Sequence, residues 1–102
     1  MAVLNDYDIL SILKMDLQIS ALEYDEYLEN LIELAKAAIE KEGIKIEHST
    51  VDNACCFSKE DGMLIQMYAA YLYRKRREEN AAMPRMLRYA LNNRLFSQKG
   101  RQ

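Results

Sequence analysis

Between positions 24 and 41 apolar side chains return every three or four residues: Tyr24, Leu28, Leu31, Ile32, Ala35, Ala38 and Ile39, with Glu26, Glu29, Glu33, Lys36, Glu40 and Lys41 taking most of the remainder. That spacing follows the 3.6-residue turn of an α-helix and conflicts with the two-residue alternation of a strand, so the segment is expected to be an amphipathic helix with one buried face. Ser20 and Glu23 make the S-x-x-E pattern in which a hydroxyl and a carboxylate satisfy free backbone N–H groups, which predicts a start there. Gly43 predicts the end, because glycine accepts the left-handed backbone that closes a helix.

The same period governs most of the chain. A first helix of about three turns is expected from Asn5 or Asp6, carrying Ile9, Leu10 and Leu13 on one side. Ser58 and Asp61 signal a third helix running from about Lys59 into residues 74–79. Apolar groups surround it between Met63 and Tyr73, which predicts the central element of the fold, and Gly62 near its start is expected to cost little. Asn80 and the two alanines after it read as a turn. Met83 is steered away from helical angles by the proline that follows, so Pro84 opens a fourth helix with Leu87, Ala90, Leu91 and Leu95 on one side and Arg85, Arg88 and Asn92 on the other. The stretch "IKIEHSTVDNACCF" is the least regular, with Ile44, Ile46 and Val51 suited to a short extended piece.

The expected fold is therefore all-α: a small bundle with two long helices, a short N-terminal helix and a Pro-initiated C-terminal helix. Residues 1–96 form a single domain and "SQKGRQ", residues 97–102, a flexible tail. Tyr24, Leu28, Leu31, Ala35, Leu64, Tyr68, Tyr71, Leu87 and Leu91 are its expected core. A chain of 102 residues, half of them hydrophobic and 29% charged, suits one compact domain.

Cys55 and Cys56 are adjacent, a poor geometry for a mutual disulfide, and reduced cytosolic thiols are the expectation. The start "MAVLNDYDIL" lacks the features of a signal peptide, and the apolar run "MLIQMYAAYLY" falls short of the roughly 20 residues a membrane span requires. A soluble protein with no membrane partner is expected.

Catalytic chemistry finds little support. The only histidine, His48, lies in the irregular segment, where a polar surface role is its ordinary reading, and it has no evident nucleophile to serve. His48, Cys55 and Cys56 are too few and too awkwardly placed for a zinc site. The three glycines, at 43, 62 and 100, form no phosphate-binding loop. Carboxylate groups such as Asp6 with Asp8, or Asp25, Glu26 and Glu29, sit where helix N-termini favour negative charge. Tyr68, Tyr71 and Tyr73 read as packing residues with hydroxyls at the boundary, and Met63, Met67, Met83 and Met86 as core or interface filling. No enzyme, cofactor or metal is expected.

Charge carries more information. The formal net charge is -2, yet residues 1–73 hold 5 Lys and Arg against 14 Asp and Glu, hence -9, while residues 74–102 hold 9 against 2, hence +7. The stretch "YLYRKRREENAAMPRMLRYALNNRLF", residues 71–96, concentrates six arginines and a lysine. Cations at a helix C-terminus answer the dipole, but that accounts for one or two of them. Glu78 and Glu79 neutralise part of the group. A helix-turn-helix is a poor match, since the link "EENAAMP" lacks a tight glycine turn and the helix before it is long and apolar. Arg74, Lys75, Arg76, Arg77, Arg85 and Arg88 are therefore the candidate partner surface. A small basic-ended regulatory protein that binds DNA is the alternative.

One family resemblance spans residues 6–96. The pattern D-x-x-L-x-x-L-I-x-x-A-x-x-x-I-E-x-x-G, running here from Asp25 through Leu28, Leu31, Ile32, Ala35, Ile39 and Glu40 to Gly43, resembles the second helix of the small head-tail connector proteins of tailed bacteriophages. A later long helix ending in tyrosine and cations ("YLYRKRR") and a proline opening the last helix ("MPRMLRYALNNRLF") follow in the same order. A Glu-Asn pair often follows the helix-end tyrosine in that family, where this chain has Arg74 and Lys75. The resemblance implies a non-enzymatic head-completion role in the virion after assembly in the host cytoplasm. Its implied partners are copies of itself in a homo-oligomeric, dodecameric ring, the portal protein above, a tail or stopper protein below, and DNA passing non-specifically through the channel. A ring closes through heterologous contacts, which an acidic body and a basic end are suited to make.

Overall fold

The computed structural model describes residues 3–46, 48–51, 54–77 and 82–99. Among these, four α-helices, α1 (Asp6–Leu17), α2 (Asp25–Lys41), α3 (Lys59–Arg77) and α4 (Arg85–Lys99), make up most of the chain. Three short strands, β1 (Val3–Asn5), β2 (His48–Val51) and β3 (Ala54–Ser58), pair antiparallel in the order β1-β3-β2. The protein is a small all-α bundle with a minor sheet set against its helix starts.

Helix α1 opens as the sequence predicts. The Asn5 side chain accepts from the Asp8 N–H at 2.7 Å and the Asp8 carboxylate accepts from the Asn5 N–H at 3.2 Å, a reciprocal capping box. Gln18, at φ 59, closes the helix in the left-handed region.

Helix α2 begins later than the S-x-x-E pattern suggests. Leu22–Tyr24 forms a single 3-10 turn, α2 starts at Asp25, and neither start has a side-chain cap. The Lys14 ammonium binds the Asp25 carboxylate at 2.7 Å, tying the start of α2 to the end of α1 instead. Tyr24, expected in the core, is left outside the helix and is 45% exposed. At the other end Gly43 adopts φ 102, and its N–H reaches the Glu40 carbonyl at 3.0 Å.

Helix α3 is central and touches α1, α2, α4, β1 and β3. Its Leu64, Ile65, Tyr68, Ala69 and Ala70 are buried against Ile9, Leu10 and Leu13 of α1, the Leu28, Leu31, Ile32, Ala35 and Ile39 face of α2, and Leu87 and Leu91 of α4. Tyr71 is half-buried against this core. Met63, Met67 and Met83 are half-buried as well, whereas Met86 lies open to solvent. The Ser58 hydroxyl accepts from the Asp61 N–H at 3.2 Å and caps α3 as its sequence signal indicates.

The sheet is the main departure from the expected bundle. Val51 does join β2, but Ile44 and Ile46 stay outside the sheet, buried on either side of Lys45. The Lys45 backbone is satisfied by an amide side chain: its N–H donates to Gln98 Oε1 at 2.8 Å and its carbonyl accepts from Gln98 Nε2 at 2.6 Å. Gln98 belongs to the last turn of α4, so residues 97–99, expected as loose tail, are helical and pinned; residues 100–102 lie outside the described residues.

Gly62 also differs from expectation. A Cβ built there would stand 2.7 Å from Leu4 Cδ1 and 3.0 Å from Leu4 Cβ, so the missing side chain is what lets β1 lie on the first turn of α3. The Pro84 carbonyl accepts from the Arg88 N–H at 3.1 Å, placing the proline just before the first residue of α4. The turn expected at Asn80 and Ala81 lies outside the described residues.

Candidate functional site

Helix α3 ends in Arg74, Lys75, Arg76 and Arg77, all exposed. Consecutive helical residues point 100° apart, so the four cations fan around the axis. Tyrosines support three of them. Lys75 Nζ lies 5.8 Å from the Tyr71 ring centroid, and the guanidinium carbons of Arg76 and Arg77 lie 5.5 Å from the rings of Tyr27 and Tyr73 respectively. Two of these pairs are i,i+4 neighbours on α3 and the third crosses from α2. The face of each ring attracts a cation without neutralising it, so the charge stays available. Tyr27 and Tyr73 also meet each other, with ring centroids 6.3 Å apart, which joins the supports of Arg76 and Arg77.

Arg74 and Arg88 are different. Arg74 approaches Asp16 of α1 at 3.7 Å, with both side chains about half exposed, a weak contact. Arg88 makes a two-pronged pair with Glu42 at 3.0 and 3.4 Å. The hydrogen bond to Glu42 holds the Arg88 guanidinium above its ordinary proton affinity against the opposing effect of burial. The neighbouring phenol of Tyr68 is pushed up chiefly by its own burial and further by the Glu42 charge.

Arg85 opens α4 and is exposed, with no ion-pair partner among the described residues. A cation at a helix N-terminus faces the positive end of the dipole, so the fold gains nothing from it there. Of the six candidate residues, then, Arg74 and Arg88 turn toward acids of their own chain, while Lys75, Arg76, Arg77 and Arg85 present their charge outward. A cleft of about 540 Å³ lies between the two helix ends, with Arg74, Arg77, Tyr71, Tyr73 and Pro84 in its wall and Asp16 opposite. Glu78 and Glu79, expected to temper the cations, lie outside the described residues.

A second relationship escaped the sequence reading. Arg94, in the same cationic stretch, is withdrawn from the surface: its Nε and Nη2 donate to Asp61 Oδ1 and Oδ2 at 2.9 and 3.2 Å, and Nη1 stands 3.6 Å from Glu60. Asp61 is 1% exposed. The sequence signal was faint: an acid at the start of one helix and a cation on another, 33 residues apart.

Among the described residues no group of three or more His, Cys, Asp or Glu side chains is placed to hold a metal ion, and no helix is long and apolar enough to cross a membrane. A scan against protein-family models, a search of curated proteins and a search of solved structures return no match.

Proposed function

We propose that this chain is a head-tail connector of a tailed phage or prophage: a non-enzymatic subunit of a homo-oligomeric ring beneath the portal, extending the DNA channel and offering the tail or stopper a docking platform. The observation that carries this reading is the ordered pattern from Asp25 to Phe96, in which the D-x-x-L helix, the Tyr-and-cation helix end and the proline-opened last helix occur in the family's order. The outward-facing cations at the end of α3 support it, because Lys75, Arg76 and Arg77 rest on tyrosines and remain available to a partner. Such a surface suits acidic faces of neighbouring subunits or of the portal, and weak, transient contact with phosphates in a channel.

The test is reconstitution with a portal protein from the phage or prophage that carries the chain, scored by light scattering after size-exclusion chromatography and by electron microscopy. A ring seated on the portal is the expected product, and a chain that stays monomeric with the portal present overturns the reading. Titration with duplex DNA separates the regulatory alternative: weak binding abolished by moderate salt fits a channel, whereas sequence-dependent binding at physiological salt assigns the cations to DNA recognition.

A further inference from the structure

Helix α4 is apolar on two opposite sides. Leu87 and Leu91 are buried in the core, while Tyr89 (61% exposed) and Phe96 (69%) lie two turns apart on the reverse face, with Met86 (73%) flanking them. At 100° per residue Arg85 falls on the same line as Tyr89 and Phe96. Scattered exposed hydrophobic residues are ordinary; two aromatic rings and an arginine aligned on one outer face are the residue types that anchor protein interfaces. Residues 85–99 include no acid, so whatever covers this face must supply the negative charge.

The chain itself carries a matching surface. Between α1 and α2 a cleft of about 430 Å³ is walled by Asp6, Tyr7, Leu10, Glu29, Ile32 and Glu33. Its apolar part includes Tyr7, 74% exposed. Lys36 binds Asp6 at 2.8 Å and Glu33 at 3.0 Å, so two carboxylates share one ammonium, and Glu29, exposed on the rim, adds to the negative surplus.

We infer that the outer face of α4 docks into the α1/α2 cleft of a second copy of this chain, with Tyr89 and Phe96 covering Tyr7 and Arg85 meeting Glu29. The inference rests on the ring reading above and names the surfaces that join neighbours in it. The face and the cleft share no residue, so each copy keeps one of each for further neighbours, and the contact is head-to-tail, the kind that closes rings. It also gives Arg85 the partner that its own helix start denies it.

Two variants disable one surface each: Arg85→Glu/Tyr89→Glu on α4 and Tyr7→Ala/Glu29→Gln in the cleft. All four positions belong to exposed side chains, and the glutamate introduced at Arg85 suits a helix N-terminus, so circular dichroism is expected to show unchanged helix content. In sedimentation velocity at low salt the wild type is expected to associate beyond the dimer as concentration rises. Each variant alone is expected to lose at least about tenfold in association, and an equal mixture to stop at a dimer, since only one intact face and one intact cleft remain.

A variant that associates like the wild type, or a mixture that stays monomeric, overturns the pairing. So does a wild type that is monomeric up to about 1 mM, even if it forms a ring on the portal, an outcome that would leave the connector reading standing. Association through these surfaces with no binding to the portal would do the reverse. Variants that keep self-association but lose the portal give the α4 face to that protein and also overturn the inference.

Discussion

Arg94 on α4 holds Asp61 on the first turn of α3 through two hydrogen bonds of 2.9 and 3.2 Å, with the carboxylate 1% exposed. The Asp61 backbone N–H is meanwhile taken by the Ser58 hydroxyl. One residue thus joins the end of β3, the start of α3 and the body of α4.

Breaking this pair from one side strands a buried charge. Arg94→Met is expected to destabilise the fold by about 3–5 kcal/mol, while replacing both partners, Asp61→Leu with Arg94→Met, is expected to cost much less. Urea unfolding of the two variants checks this, and equal losses would mean that the carboxylate finds another partner or water.

Gly62→Ala is expected to destabilise, although alanine normally favours a helix interior. The added methyl meets Leu4 at 2.7 to 3.3 Å, so β1 must shift, at about 1–3 kcal/mol. In a Leu4→Ala background the same change is expected to cost far less, a non-additivity that thermal melts of the four proteins measure.

Stability is expected to fall in alkali. Burial opposes the charge on Lys36, but hydrogen bonds to Asp6 and Glu33 outweigh it and hold its affinity for the proton above the ordinary 10.5. Its contribution is therefore complete below that pH and lost as pH rises through the folded-state value. Tyr68, raised above 10.0 chiefly by burial, acts in the same direction because the folded state resists forming the phenolate. Denaturation midpoints measured from about pH 8 to 11 should fall less steeply in Lys36→Met and in Tyr68→Phe than in the wild type.

The cations at the end of α3 are expected to matter for partners and little for folding. Changing Lys75, Arg76 and Arg77 together to glutamine removes contacts to tyrosine rings at an exposed surface, so the melting midpoint should move by only a few degrees. The proposed assembly on a portal should weaken, most clearly at low salt. A large fall in the melting midpoint would make the run a structural element.

Much of this fold is written in local signals. The three-and-four spacing of Leu28, Leu31, Ile32, Ala35 and Ile39 forces a buried helix face, and Asn5, Gly43 and Ser58 mark ends through chemistry confined to a few neighbouring residues. Where the sequence misled, distant partners decided. Ser20 and Glu23 have the spacing of a cap, yet the start of α2 is set by Lys14 reaching Asp25. The strands are three to five residues long, too short to show a period, and Leu4 finds Phe57 only after two helices have intervened. At the candidate surface the cationic run was legible as charge. That Arg94 turns inward and Arg88 pairs with Glu42 depends on how α4 lies against the rest of the molecule, which no local pattern records.

The pairing of β1 with β3 has a bearing on how the chain is made. Val3–Asn5 leaves the ribosome well before Ala54–Ser58, its hydrogen-bonding neighbour in the sheet among the described residues, so β1 waits unpaired while α1 and α2 emerge. Once β3 appears, β2 can form a local hairpin with it, whereas β1 must return across the whole intervening length. The N-terminal strand is thus expected to dock last, closing over Gly62 when the helices beneath it are already in place.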